Sequence, residues 1–290
     1  MEIRIGTSGW VYPPWRKTFY PEDLPQKKEL FHASRHLTSI EINGSFYSYQ
    51  KPSTYQHWYD ETPDNFIFSV KGPQYITHIN RLKEIEDSLA NFMASGVLLL
   101  KTKLGCIFWQ LPPSFVFNDE KAARLEHFFS LLPKTFREAS TWANKSKRFI
   151  ADYSADITQS DRPLRHALEV RHHSFENPAF IELLRKYKIA LVFADTAGKW
   201  PYMEDITSDF LYLRLHGDES FYDDGYDQDS LKFWAQRLQA WSQHRLPNHA
   251  QNLTEVKDLP DLKTAFIYFD NDLKIKAPQD AQQLQQLTGQ

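Results

Sequence analysis

Along the chain, short runs of apolar, β-branched or aromatic residues alternate with stretches whose apolar residues fall three or four apart. The runs are IRIGTSGW (3–10), SIEINGSF (39–46), FIFSVKG (66–72), CIFWQLP (106–112), ALEVRHH (167–173), LVFADT (191–196), LYLRLHG (211–217) and AFIYFDN (265–271), which predicts eight strands. Between them, Leu82, Ile85, Leu89 and Phe92 share one helical face, and Leu231, Trp234, Leu238 and Trp241 share another. A further helix is expected near 119–132, and Asn177 followed by Pro178 marks a capped helix start.

Strands that alternate with helices pair in parallel through right-handed crossovers, and eight such units suit a closed TIM-like (β/α)8 barrel of α/β class better than an open sheet. The pattern predicts a single domain over 1–290. The stretch 137–165, rich in Ser, Asp, Lys and Arg, reads as a surface insertion before strand five.

In such a barrel one phase of each strand packs under the helices and the other points inward. Ile40 and Ile42, Leu168 and Val170, and Leu211, Leu213 and Leu215 form the apolar phase. The other phase carries Glu41 and Asn43, Ser69 and Lys71, Phe108 and Gln110, Glu169 and Arg171, Phe193 and Asp195, then Tyr212, Arg214 and His216. Polar residues thus gather near the C-terminal ends of successive strands, where barrel enzymes hold their active sites. Buried charge must be paired. Here Glu41, Glu169 and Asp195 balance Lys71, Arg171 and Arg214, so a structural ion network competes with a functional site.

Composition narrows the function classes. With 290 residues, 41% hydrophobic and 15% aromatic, the chain can bury a large core. A formal charge of -3 supplies no global field for nucleic acid. The single cysteine, Cys106, excludes an internal disulfide framework and a cysteine-ligated iron–sulfur cluster. Met1 leads directly into the alternation of Ile3 and Ile5, and the apolar run at 97–100 is far too short for a membrane span. A cytoplasmic location is the expectation.

The motifs GTSGW (6–10) with Trp15 and FYP (19–21), EINGSFY (41–47), SVKGPQYITH (69–78), QLPPSF (110–115), ALEVRHHSF (167–175), YLRLHG (212–217) and FDND (269–272) occur in this order. Together they resemble the YecE-like family, domain of unknown function 72, over nearly the whole chain. The resemblance implies a TIM-type barrel and no established reaction. Glu41, Asn43, Lys71, His78, Gln110, Glu169, Arg171, His172, Arg214, His216 and Asn271 match its motif positions. Phe175, Asp270 and Lys276 depart from it, standing where the family usually has tryptophan, asparagine and glycine.

Several chemistries fit these residues. Glu41 and Glu169 are candidates for a base or nucleophile, with His78, His172 or His216 supplying the acid, in cofactor-independent hydrolysis or isomerisation. Lys71, Arg171 and Arg214 suit an anionic or sugar-containing small molecule, with Asn43, Gln110, Asp195 and Asn271 as further polar contacts. Trp10, Tyr12, Trp15, Phe46, Tyr47, Tyr222 and Tyr226 offer rings for stacking, although packing is the commoner role of such rings. A metal-dependent barrel hydrolase or isomerase, including a phosphoesterase or endonuclease-like activity, is a second reading. No H-x-H or H-E-x-x-H pair supports it, and interleaved cations oppose a divalent ion, so no metal is expected. A non-catalytic binder of a nucleotide or single-stranded nucleic acid is the third. The two glycines of GTSGW read as a tight turn in preference to a phosphate cradle.

Overall fold

The computed structural model describes residues 1–217, 225–256, 258–271 and 276–289. Tyr222 and Asp272, the last residue of FDND, lie outside the described residues. Eight strands follow one another in sequence order around a closed parallel barrel. They are β1 (Glu2–Ser8), β2 (Ser39–Ile42), β3 (Ile67–Lys71), β4 (Leu104–Gln110), β5 (His166–Glu169), β6 (Ala190–Asp195), β7 (Phe210–Leu215) and β8 (Thr264–Phe269). All eight runs of the sequence pattern are strands, each within a few residues of its expected bounds. The chain divides into two compact units, one of residues 1–41 and 175–290 and the other of residues 42–174.

In the first unit, β1 pairs with β2 and β8, and β7 pairs with β6 and β8. Gly6 opposes Ser39 so closely that a Cβ there would lie 1.7 Å from the Ser39 carbonyl oxygen. Gly9, at φ +87°, turns the chain out of β1. Both glycines of GTSGW are therefore accounted for by backbone geometry. Helices α1 (Glu29–His36), α8 (Pro178–Tyr187), α9 (Gln228–Ser242) and α10 (Ala277–Thr288) belong to this unit. Asn177 caps α8 by accepting from the Ala179 N–H at 2.9 Å, with Pro178 in the first turn. The face of Leu231, Trp234, Leu238 and Trp241 on α9 is buried.

The second unit holds β3, β4 and β5 with α2 (Gly44–Tyr47), α3 (Pro52–Glu61), α4 (Glu86–Ala94), α5 (Asp119–Leu131), α6 (Phe136–Ala143) and α7 (Ala155–Thr158). Asn118 caps α5 through the Lys121 N–H at 2.9 Å. The helix expected from Leu82 begins only at Glu86. Arg81 and Leu82 have φ of 50° and 62°, which no helix accepts, and buried Leu82 donates instead to the Ile76 carbonyl at 2.9 Å. The stretch 137–165 is more ordered than its composition implies. It includes most of α6, which packs on α4, and all of α7, and Arg162 donates to the carbonyls of Lys101, Thr102 and Leu104.

One strand departs from the expected phase. Ala194 of β6 is in register with Arg214 and Asp195 with Leu215, so Phe193 and Asp195 lie on the helix-facing side. Phe193 meets Trp241 of α9 at 5.7 Å between ring centroids. Alternation alone misassigned β6 because every residue from Ala190 to Ala194 is buried, leaving no polar phase to read.

Candidate functional site

The C-terminal ends of the strands carry two charged constellations, one in each unit. In the first, Glu41 is fully buried and accepts four hydrogen bonds. Its Oε1 takes Ser8 Oγ at 2.9 Å and Arg214 Nη2 at 3.1 Å, and its Oε2 takes Tyr212 Oη at 2.6 Å and Arg214 Nε at 3.1 Å. This bidentate fork pairs Glu41 with Arg214. Asp270, where the resembled family usually has asparagine, pairs with the Nη2 of the same arginine. His216 sits with Nε2 3.4 Å from Arg214 Nη1 and Nδ1 3.6 Å from Asp270 Oδ2, which favours the tautomer protonated at Nδ1. Ser8, in phase with Gly6 and Glu41, is a member that the sequence reading passed over.

Asp195 is not in this group. On the helix-facing side it accepts from Tyr226 Oη at 2.8 Å, and the same hydroxyl accepts from the Gly217 N–H at 2.9 Å. Burial, then the Asp195 carboxylate, pushes the Tyr226 phenol well above its ordinary range, so it stays a donor. Buried Asn271 donates to Asp280 Oδ2 at 3.2 Å, as does the Tyr226 N–H at 3.1 Å. Asp195, Tyr226 and Asn271 thus form a separate clasp. Phe175 packs on Phe180 at 4.8 Å between centroids, and the Lys276 side chain lies against Gly225.

In the second unit, Glu169 is fully buried at the end of β5. Its Oε1 accepts from Gln110 Nε2, the register neighbour on β4, at 2.8 Å and from Arg171 Nε at 2.6 Å. Lys71, at the end of β3, extends its Nζ to 4.3 Å from the Phe46 ring centroid and 5.5 Å from that of Phe108. His78 meets Phe46 edge-on at 5.0 Å and has Nδ1 2.8 Å from Thr77 Oγ1. It belongs to a single π-helical turn, Tyr75–Ile79, in which the Asn80 N–H reaches back to the Tyr75 carbonyl at 2.9 Å. Such turns often mark functional positions. Desolvation first, then Lys71, then Arg171 lower the His78 pKa to about 4, and the opposing pull of Glu169 ranks below both cations. The field at the imidazole is therefore positive, and His78 is neutral near pH 7.

The remaining candidates lie apart. His172 bonds to Ser174, with Nδ1 2.8 Å from its Oγ. Asn43 precedes α2 and accepts at its carbonyl from the Phe46 N–H at 3.0 Å. Trp10 accepts at its carbonyl from Tyr20 Oη at 2.6 Å, and Tyr47 is 73% exposed. Among the described residues, no three His, Cys, Asp or Glu side chains stand close enough to hold a metal ion, and no helix is long and apolar enough to cross a membrane.

Eight parallel strands closed in a barrel, with Glu41, Lys71, Glu169 and Arg214 buried near the C-terminal ends of their strands, define a (β/α)8-barrel protein. The chain belongs to the DUF72 family, whose model, described as a protein of unknown function, matches residues 4–290. It is 23% identical over 266 residues to the UPF0759 protein YecE of Escherichia coli strain K12, covering 90% of this chain and 89% of the relative. The UPF0759 protein YunF of Bacillus subtilis strain 168 is 31% identical over 128 residues, 42% of this chain and 44% of the relative. The fold matches a DUF72 family protein of Thermotoga maritima MSB8 with a TM-score of 0.74 at 23% identity, over 100% of both chains. A DUF72 family protein of Enterococcus faecalis V583 gives 0.70 at 17% identity, over 99% of this chain and 96% of the other.

Proposed function

We propose that this protein is a cofactor-independent acid–base enzyme, a hydrolase or isomerase, acting on a small anionic substrate at the Lys71, Gln110, Glu169, Arg171 and His78 constellation. One observation carries the reading: Lys71 Nζ, 4.3 Å from the Phe46 ring centroid, and His78, edge-on to the same ring at 5.0 Å, stand together, while Arg171, held by buried Glu169 at 2.6 Å, still reaches solvent. An anion placed there is stabilised, and a cation is repelled. Arg171, oriented by Glu169, offers planar N–H donors to a phosphate or carboxylate, and Lys71 adds a compact charge.

In this reading neutral His78 accepts a proton from the substrate or from a water beside it. The bound anion and Glu169 then stabilise the imidazolium, offsetting the cations that hold His78 neutral in the free protein. Glu169 acts as a positioning residue, fixing Arg171 and Gln110. Glu41, already accepting four hydrogen bonds, holds Arg214.

Calorimetric titration with inorganic phosphate tests the anion site. Binding that Lys71→Met weakens at least tenfold supports the reading; absence of binding, or binding indifferent to Lys71, defeats it.

A further inference from the structure

Next to this constellation, and sharing Phe46 with it, is a groove that the acid–base chemistry does not use. It encloses about 540 Å³, within the roughly 300–1,000 Å³ of small-molecule sites. Tyr47 is 73% exposed, Tyr75 47% and Ile79 61%, so one groove displays large side chains that folding alone would cover. Tyr49 is pinned differently, its hydroxyl donating to the Ser88 carbonyl at 3.2 Å and its ring edge-on to Phe149 at 5.6 Å. Exposed Arg148 lies 5.3 Å from the ring centroids of both Tyr49 and Phe149 and forms no ion pair among the described residues.

We infer that this groove takes the base of a nucleoside phosphate whose phosphate rests at Lys71 and Arg171, an inference that rests on the anion-binding reading above. Three observations converge on that occupant. The groove and the cations meet at Phe46, whose ring lies 4.3 Å from Lys71 Nζ and 5.1 Å from the Tyr47 ring centroid, so a ligand no longer than a nucleotide reaches both. Four of the lining side chains, Phe46, Tyr47, Tyr49 and Tyr75, offer flat π surfaces, on which any base stacks. Arg148, with Gln74 and Asn91 in the same lining, supplies planar donors and acceptors that match base edges. A single sugar ring would leave most of this volume empty.

The π-helical turn links the two halves. Its Tyr75 and Ile79 line the groove, and its His78 stands with Lys71 and Phe46. Base binding and proton transfer would thus be set by one five-residue segment.

The test titrates the full-length protein separately with the four common nucleoside monophosphates, ribose 5-phosphate and inorganic phosphate. At least one nucleotide is expected to bind ten times or more tightly than ribose 5-phosphate. The double variant Tyr47→Ala, Tyr75→Ala should erase that ratio and leave inorganic phosphate binding unchanged, because both rings are exposed and their loss spares the core. Equal affinities for nucleotide and ribose 5-phosphate, or a ratio that survives the double variant, would overturn the inference while the anion site stands. Failure of inorganic phosphate and every phosphate ester to bind would overturn both. Binding of a single-stranded oligonucleotide without any mononucleotide would overturn the inference in favour of a nucleic-acid surface.

Discussion

Arg171 Nε lies 2.6 Å from Oε1 of Glu169, a carboxylate fully withdrawn from solvent, and the arginine side chain stays 22% exposed. The pair therefore spans the boundary between interior and site. Replacing Glu169 with Gln removes the buried charge but spares most of the shape. Because Arg171 still reaches water, the cost should be about 1–3 kcal/mol, below the ~3–5 kcal/mol of breaking a fully buried pair. Anion affinity should rise, since a negative neighbour has gone, while turnover is lost. Thermal melts and phosphate titration check this; weakened phosphate binding would count against the assigned charges.

Lys71→Met removes the largest charge acting on His78. The imidazole pKa should climb from about 4 toward its ordinary range but stop short of it, because desolvation is the leading cause of the depression and persists. Proton NMR titration of the His78 ring reads the change. An unmoved pKa would mean that Lys71 does not act on His78.

His166 supplies a pH test of the fold itself. It is buried, accepts from Trp109 Nε1 at 3.1 Å through Nδ1, and has Nε2 2.8 Å from the Pro133 carbonyl. Burial lowers its pKa from 6.5 to about 4. The unfolded chain takes up a proton near pH 6.5 that the native state refuses until about pH 4, so this contribution is complete above 6.5 and is lost as pH falls through that window. The loss amounts to about 3 kcal/mol. Denaturant unfolding at a series of pH values should show this slope, and His166→Gln should flatten it.

Gly6→Ala should be among the most damaging single-atom additions in the chain. Its Cβ would sit 1.7 Å from the Ser39 carbonyl oxygen, so β1 and β2 must part. A cost of about 3 kcal/mol or more is expected, at the upper end of overpacking. Gly72→Ala, whose Cβ would meet Trp109 Cε3 at 2.2 Å, should also destabilise the protein. Chemical denaturation of both variants measures these effects.

Glu204 offers a control far in sequence from the phosphate-binding residues. It is buried, pairs with Arg237 at 3.1 Å, and accepts from Tyr202 Oη at 2.6 Å and the Gln251 N–H at 2.8 Å. Glu204→Gln should cost about 3–5 kcal/mol by leaving a buried guanidinium unpaired. Phosphate affinity, measured below the melting range, should stay at the wild-type value.

How far the sequence was legible depended on contrast between neighbours. Where polar and apolar residues alternate, as at Glu169 beside Leu168 or Arg214 beside Leu213 and Leu215, the phase could be read directly. In β6 the contrast vanishes and Asp195 was misplaced. The lowered pKa of His78 left no mark in the sequence for a different reason: burial is its first cause, and the fold brings Arg171 to it from far along the chain. Arg148 gave no signal, since its segment read as a polar insertion and its ring neighbour Tyr49 lies a hundred residues earlier.

The π-helical turn at Tyr75–Ile79 winds one more residue into its loop than an α-helical turn would. Loss of a single codon there would let the backbone relax to the commoner winding and change which residue stands at each position of the turn. His78 would leave Phe46 while the strands on either side kept their places. Within this one turn, a change in gene length of three nucleotides would act on the chemistry and leave the architecture standing.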